Sequence, residues 1–62
     1  MDAETLLTQA LERIESPSIK AWATSEHNRP IFIKIAESAL KKNPQTDALQ
    51  FSTYITCQAI GL

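Results

Sequence analysis

The clearest structural signal in the sequence is the stretch at residues 6–14, which reads LLTQALERI. Its apolar residues recur at the spacing of one helical face: Leu6, Leu7, Ala10, Leu11 and Ile14. Asp2 is suited to cap the start of this helix with its carboxylate. Ser16-Pro17 ends it, because the residue before a proline avoids the helical region. The stretch therefore predicts an amphipathic helix over residues 2–15.

Three prolines divide the chain into four segments of similar length: Pro17, Pro30 and Pro44. With a single glycine and many Ala, Leu, Ile, Glu, Gln and Lys residues, the composition favours helix over sheet. We therefore predict one all-α domain spanning residues 1–62, a compact bundle of three or four helices. Its helices are expected at residues 2–15, 17–27, 29–42 and 46–60.

Residues that commonly cap helices precede each of the last three segments. Ser16 is the expected N-cap of the second helix, with Pro17 at the first helical position. Asn28 is the expected N-cap of the third. Asp47, followed three residues later by Gln50, resembles a capping box at the start of the fourth. The predicted core combines apolar side chains from all four segments: Leu7, Leu11, Ile14, Ile19, Trp22, Phe32, Ile35, Ala36, Leu40, Phe51 and Ile55.

Two segments also fit a strand. Residues 49–57 alternate apolar and polar side chains of types common in sheets, and residues 31–35 are rich in isoleucine. The alternative fold is therefore α+β, with short strands at 31–35 and 49–57. A two-stranded sheet is weak alone, so this fold would favour association with a second copy.

The chain has few of the residue types that form catalytic or metal sites. Cys57 and His27 are the only thiol and imidazole, and Gly61 is the only glycine. The chain therefore cannot form an internal disulfide, a metal cluster of its own or a glycine-rich phosphate loop. We predict no catalytic residue, no metal site and no cofactor, and hence no enzyme.

The start of the chain does not resemble a signal peptide. Residues 1–10 contain Asp2 and Glu4 and no lysine or arginine, and no segment approaches the ~20 apolar residues needed to cross a bilayer. We expect a complete small gene product without a membrane segment. Together with the free cysteine, this predicts a cytoplasmic protein.

Charge is distributed unevenly along the chain. Residues 1–15 carry four carboxylates against one arginine, residues 16–44 carry five basic side chains against two acidic ones, and residues 48–62 carry no charge. So long an uncharged segment is difficult to place wholly on a solvated surface. We therefore predict a non-enzymatic protein–protein interaction or regulatory module that docks on itself, as a homodimer, or on a larger protein. The candidate contact residues are the aromatic and aliphatic side chains Trp22, Phe51, Tyr54, Ile55, Ile60 and Leu62.

The main alternative is a small DNA-binding regulator. The second and third segments could form a helix-turn-helix, with residues 25–29 as the connection. Basic side chains would then contact phosphates: Lys20, Arg29, Lys34, Lys41 and Lys42. Few side chains suited to reading bases lie on the third segment, so this alternative ranks second.

Overall fold

The computed structural model describes residues 1–61 and folds them into four helices. These are α1 (Ala3–Glu12), α2 (Pro17–Ala23), α3 (Asn28–Lys42) and α4 (Ala48–Ile60). No strand occurs in residues 1–61. The predicted all-α class is confirmed, and the alternative with strands at 31–35 and 49–57 is wrong.

The burial pattern of α4 explains why this segment is helical despite its alternating sequence. A strand would place Leu49, Phe51, Thr53 and Ile55 on one face. In the structure Phe51 and Ile55 are buried, whereas Leu49 and Thr53 are exposed. The buried residues recur instead at helical spacing, at Ala48, Phe51, Ser52 and Ile55. The polar Ser52 fits this buried face because its hydroxyl donates to the Leu49 carbonyl at 2.8 Å.

Side-chain caps fix the starts of three helices as predicted. The Thr5 amide donates to Asp2 Oδ1 at 2.8 Å, and this bond lowers the pKa of the Asp2 carboxyl below its usual 3.8. The Ile19 amide donates to the Ser16 hydroxyl at 3.3 Å, with Pro17 opening α2. The Asp2 cap is therefore present at neutral pH and is lost as the pH falls through the lowered pKa.

The start of α4 has a complete capping box. The Gln50 amide donates to Asp47 Oδ1 at 2.9 Å, and the Asp47 amide donates to Gln50 Oε1 at 3.2 Å. The other end of α4 closes on Gly61, whose φ of 79° lies in the left-handed region that favours glycine. Both ends of the uncharged helix are thus defined by local chemistry.

The boundary between α2 and α3 differs from the prediction. Asn28 is not the N-cap of α3 but its first residue; His27 holds the cap position and makes no side-chain cap bond. The Asn28 side-chain amide instead donates to the Trp22 carbonyl at 3.0 Å, across the turn. Helix α2 ends at Ala23, four residues before the predicted end, and the Thr24 hydroxyl donates to the Lys20 carbonyl at 2.8 Å in its last turn. Asn28 is therefore the first residue of α3, and its side chain ties that helix to the end of α2.

Helix α1 is the centre of the packing. It contacts both α3 and α4 extensively, whereas α2 contacts these two helices less and α3 and α4 touch each other only slightly. Leu6, Leu7 and Ala10 of α1 are completely buried. The radius of gyration is 10.5 Å, close to the ~10.6 Å expected for a compact domain of this length. The core therefore closes within one chain.

Most of the predicted core is found there. Among the predicted residues Leu7, Ile14, Phe32, Ala36, Phe51 and Ile55 are buried, and Leu11, Ile19, Ile35 and Leu40 pack against them partly buried. Trp22 is the exception, because it remains 37% exposed; its ring contacts Phe32 edge to face at a centroid distance of 5.3 Å. The short helix α2 therefore covers the bundle with its tryptophan at the margin.

We expect Asp47→Ala to destabilise the domain by about 1 kcal/mol, because it removes the carboxylate acceptor of the capping box. Urea denaturation followed by circular dichroism measures the change. Asp47→Asn is the matched control, since asparagine retains a side-chain oxygen acceptor and is an equally good cap. Equal stability of the Ala and Asn variants would contradict a capping role.

We expect Ile55→Glu to unfold the domain, because Ile55 is fully buried and a buried unpaired carboxylate is costly. Ile60→Glu introduces the same charge on the same helix at a side chain that is 59% exposed, and it should leave helix content nearly unchanged. Circular dichroism of the two variants tests the orientation of α4. Loss of helix content in the Ile60 variant but not in the Ile55 variant would contradict the assignment of Ile55 to the buried face of α4.

Candidate functional site: an apolar groove between α3 and α4

An open groove separates the second half of α3 from the first half of α4. The two helices are consecutive in sequence but touch only slightly, since α1 packs against both. The space left between them has a volume of about 380 Å³. We call it the α3–α4 groove; its lining residues are Ile35, Ser38, Ala39, Lys42, Thr46, Gln50, Phe51 and Tyr54.

The floor of the groove is mainly apolar. Ile35 and Ala39 line it from α3, and Phe51 and Tyr54 line it from α4. The rings of Phe51 and Tyr54 lie almost parallel, with an interplanar angle of 4° and a centroid distance of 6.0 Å. Phe51 is buried, so it supports the half-buried Tyr54 from below. An apolar ligand would therefore meet a floor that is already ordered.

The turn between α3 and α4 closes one end of the groove. The Thr46 hydroxyl donates to the Asn43 carbonyl at 2.7 Å and lies 3.5 Å from the Ala39 carbonyl oxygen. The Asn43 side chain accepts from the Gln45 amide at 3.0 Å, and the Asn43 amide donates to the Ala39 carbonyl at 2.8 Å. These bonds fix the turn, and with it the spacing of the two helix ends.

One wall of the groove is basic and the other is uncharged. Lys42 lines the groove, and Lys34 and Lys41 are exposed on the neighbouring flank of α3, beside the lining residue Ser38 and the exposed Glu37. No acidic side chain is among the lining residues described, and α4 carries no charged residue. The site therefore combines an apolar floor with positive charge along one side.

The predicted contact residues do not form one surface. Phe51 and Ile55 are 3% and 0% exposed, so the bundle covers them and Ile55 is not available to a partner. Tyr54 lies in the groove, Trp22 lies at the edge of α2, and Ile60 is exposed near the end of α4. Leu62 lies outside the described residues. Among the six predicted residues, the groove uses Tyr54 and the supporting ring of Phe51.

The basic side chains predicted to contact DNA also separate. Lys34 and Lys41 share one flank of α3, but Arg29 lies about 120–140° away around the helix axis. Arg29 Nη2 lies 3.7 Å from Glu4 Oε1 of α1, and both side chains remain largely exposed. Lys20 lies on α2 and is partly buried. The structure therefore groups Lys34, Lys41 and Lys42, and leaves Lys20 and Arg29 elsewhere.

The thiol and the imidazole, for which no catalytic role is predicted, lie on different parts of the fold. Cys57 is half-buried on α4, and His27 is exposed in the turn before α3. Within residues 1–61 no three His, Cys, Asp or Glu side chains are grouped as metal ligands would be. Over the same residues, every helix is too short or too polar to cross a bilayer.

Sequence reasoning missed several groove residues, including Ile35 as a contact residue, Ser38, Ala39, Thr46 and Gln50. A helical stripe at 35, 38, 39 and 42 is visible in the sequence, but the sequence does not show that α4 leaves it uncovered. Neither the protein-family models nor the curated proteins nor the solved structures compared with this chain match it. The candidate site therefore rests on its own geometry.

We expect the folded protein to bind the apolar dye 1-anilinonaphthalene-8-sulfonate in the groove, because the floor is apolar and the sulfonate can pair with Lys42. Dye fluorescence titrated with protein measures the binding. Ala39→Glu places a carboxylate in the groove and should abolish the enhancement. Ala21→Glu, the same change on the exposed side of α2, is the matched control and should bind like the wild type. Equal dye binding by both variants would show that the dye site lies elsewhere.

Proposed function

We propose that this protein is a small, non-enzymatic docking module whose α3–α4 groove receives a segment of a protein partner. The observation that carries the proposal is an apolar groove that stays open after the core has closed. Concave, mainly apolar sites with a few polar groups are the usual form of binding sites. A docked partner would cover the ring of Tyr54 and the uncharged wall of α4.

The core is complete within one chain. This favours a partner that docks on the folded domain over one that is needed to complete the fold. Leu6, Leu7 and Ile55 are fully buried within one chain. No buried side-chain nitrogen or oxygen in residues 1–61 lacks a hydrogen-bond partner. The buried polar side chains of the domain therefore have the hydrogen-bond partners expected of a chain that folds without a partner. Docking can then be reversible.

The partner is either a larger protein or a second copy of this chain. The uncharged exterior of α4 favours both, because soluble surfaces normally mix charges of both signs. Light scattering over a range of concentrations separates them, since self-docking raises the mass with concentration. The free Cys57 fits a reducing compartment, and the proposed setting is the cytoplasm.

DNA binding remains the alternative function. The three lysines on the flank of α3 are the observation in its favour, since phosphate contacts supply most non-specific affinity. Glu37 is exposed on the same helix and weakens this surface for a polyanion. An apolar floor also offers nothing to phosphates, so the docking function explains more of the site.

We expect tagged wild-type protein to recover a stoichiometric protein partner from the native cell extract, with or without nuclease. Ala39→Glu should lose this partner because it obstructs the groove, and Ala21→Glu should retain it. Mass spectrometry of the recovered material measures the difference. Recovery of nucleic acid that nuclease removes would favour the DNA-binding alternative, and equal recovery by both variants would place docking outside the groove.

A further inference from the structure

We infer that the occupant of the α3–α4 groove is a short amphipathic helix with acidic residues beside its apolar anchors. This inference rests on the proposed docking function and adds the chemistry of the partner. Three features of the groove carry it: its length, the position of its apolar floor and the sign of its charged wall.

The dimensions of the groove suit two turns of helix. The α3 wall runs from Ile35 to Lys42, which is about 10 Å at 1.5 Å per residue. The volume of about 380 Å³ is at the low end for binding cavities, enough for a few side chains but not for a protein domain. A helix laid in such a groove anchors through side chains three or four residues apart.

A helical peptide is the partner segment that best fits a groove between two helices. Side chains on the two walls form ridges, and the apolar face of a third helix can pack between them. A peptide that binds by β-strand addition would instead need a free sheet edge, and residues 1–61 contain no strand. The guest would therefore occupy the place of a further helix of the bundle.

The charges beside the groove favour an acidic guest. Lys42 lines the α3 wall, and none of the described lining residues is acidic. Lys34 and Lys41 lie farther out on the flank of α3, where they share the surface with the exposed Glu37, so this side keeps an excess of positive charge. The Asp47 carboxylate, near the closed end, already accepts from the Gln50 amide. Carboxylates placed on one side of the guest would pair with the lysines, and the opposite side would meet the uncharged α4. This asymmetry also fixes the direction in which the guest lies.

The same lysines could attract an anionic membrane, but the shape of the site disfavours it. Helices that bind membrane surfaces insert a protruding apolar face between the headgroups. Here the apolar floor is recessed between α3 and α4, with Phe51 buried. A separate, narrow guest reaches this floor, whereas a flat bilayer does not.

A peptide selection tests the chemistry of the guest directly on the protein. A random library of 16-residue peptides on phage is selected on the full-length protein, with depletion on the Ala39→Glu variant. We expect enriched peptides to carry apolar residues at i, i+3 or i+4, and i+7, flanked by Asp or Glu. Enrichment of peptides without acidic residues would overturn the inferred chemistry while leaving groove docking intact.

Charge exchange then tests the pairing directly. Lys42→Glu should weaken a selected peptide roughly three- to tenfold, and replacing the flanking Glu of the peptide by Lys should restore its affinity for this variant. Arg13→Glu, at the exposed C-cap of α1 and away from the groove, is the matched control and should have little effect. Fluorescence anisotropy of labelled peptides measures all four combinations. Equal affinities for wild type and Lys42→Glu would overturn the role of the basic wall.

Docking in the α3–α4 groove and the acidic character of its occupant can be refuted separately. If no peptide distinguishes wild type from Ala39→Glu, groove docking itself is refuted, and the occupant with it. Sedimentation with phosphatidylserine vesicles provides the remaining comparison. If no peptide is selected and the wild type but not Ala39→Glu binds the vesicles, the ligand is an anionic lipid surface and not an acidic helix.

Discussion

The packing of α1 against both α3 and α4 is the interaction on which the rest of the structure depends. Leu6, Leu7 and Ala10 present a fully buried face to both longer helices. Both longer helices pack on α1, and α3 and α4 touch each other only slightly. The same contact that forms the core therefore also opens the groove. Fold and candidate site are two consequences of one arrangement.

Charged residues contribute little to this arrangement and are left free for recognition. The ion pair observed within residues 1–61 joins Arg29 to Glu4 at 3.7 Å. Both side chains are largely exposed, and such surface pairs are worth only about 0–1 kcal/mol. Apolar burial and helix caps hold the domain, so the lysines beside the groove can be exchanged without loss of the fold. This separation makes their proposed role in binding accessible to mutation.

The sequence predicted the elements that depend on local chemistry and missed those that depend on packing between helices. Caps at Asp2, Ser16 and Asp47 involve neighbours three residues away, and all three were predicted correctly. Asn28 was misassigned because its side chain bonds across the turn to Trp22 rather than to its own helix. The all-α class followed from local signals, whereas the strand alternative for 49–57 was excluded only by which residues α1 covers.

The candidate site was predicted only in part, for the same reason. Tyr54 was identified from the uncharged last segment, but Phe51 and Ile55 in the same segment proved to be buried. A sequence shows which side chains are apolar, while the tertiary arrangement decides which of them remain uncovered. The groove depends on how little α3 and α4 contact each other, and no residue pattern within either helix encodes that separation. Its proposed function is correspondingly an inference from shape and charge.

The lack of charge on α4 has a further consequence for the unfolded chain. Residues 51–57 read FSTYITC, a window with strong β propensity, no charge, no proline and no glycine, which is the composition of aggregation-prone segments. Most proteins interrupt such windows with charged gatekeeper residues. Here the capping box and Gly61 hold the segment in a helix instead. Folding of α4 therefore also keeps a segment of aggregation-prone composition out of the extended conformation that cross-β assembly requires.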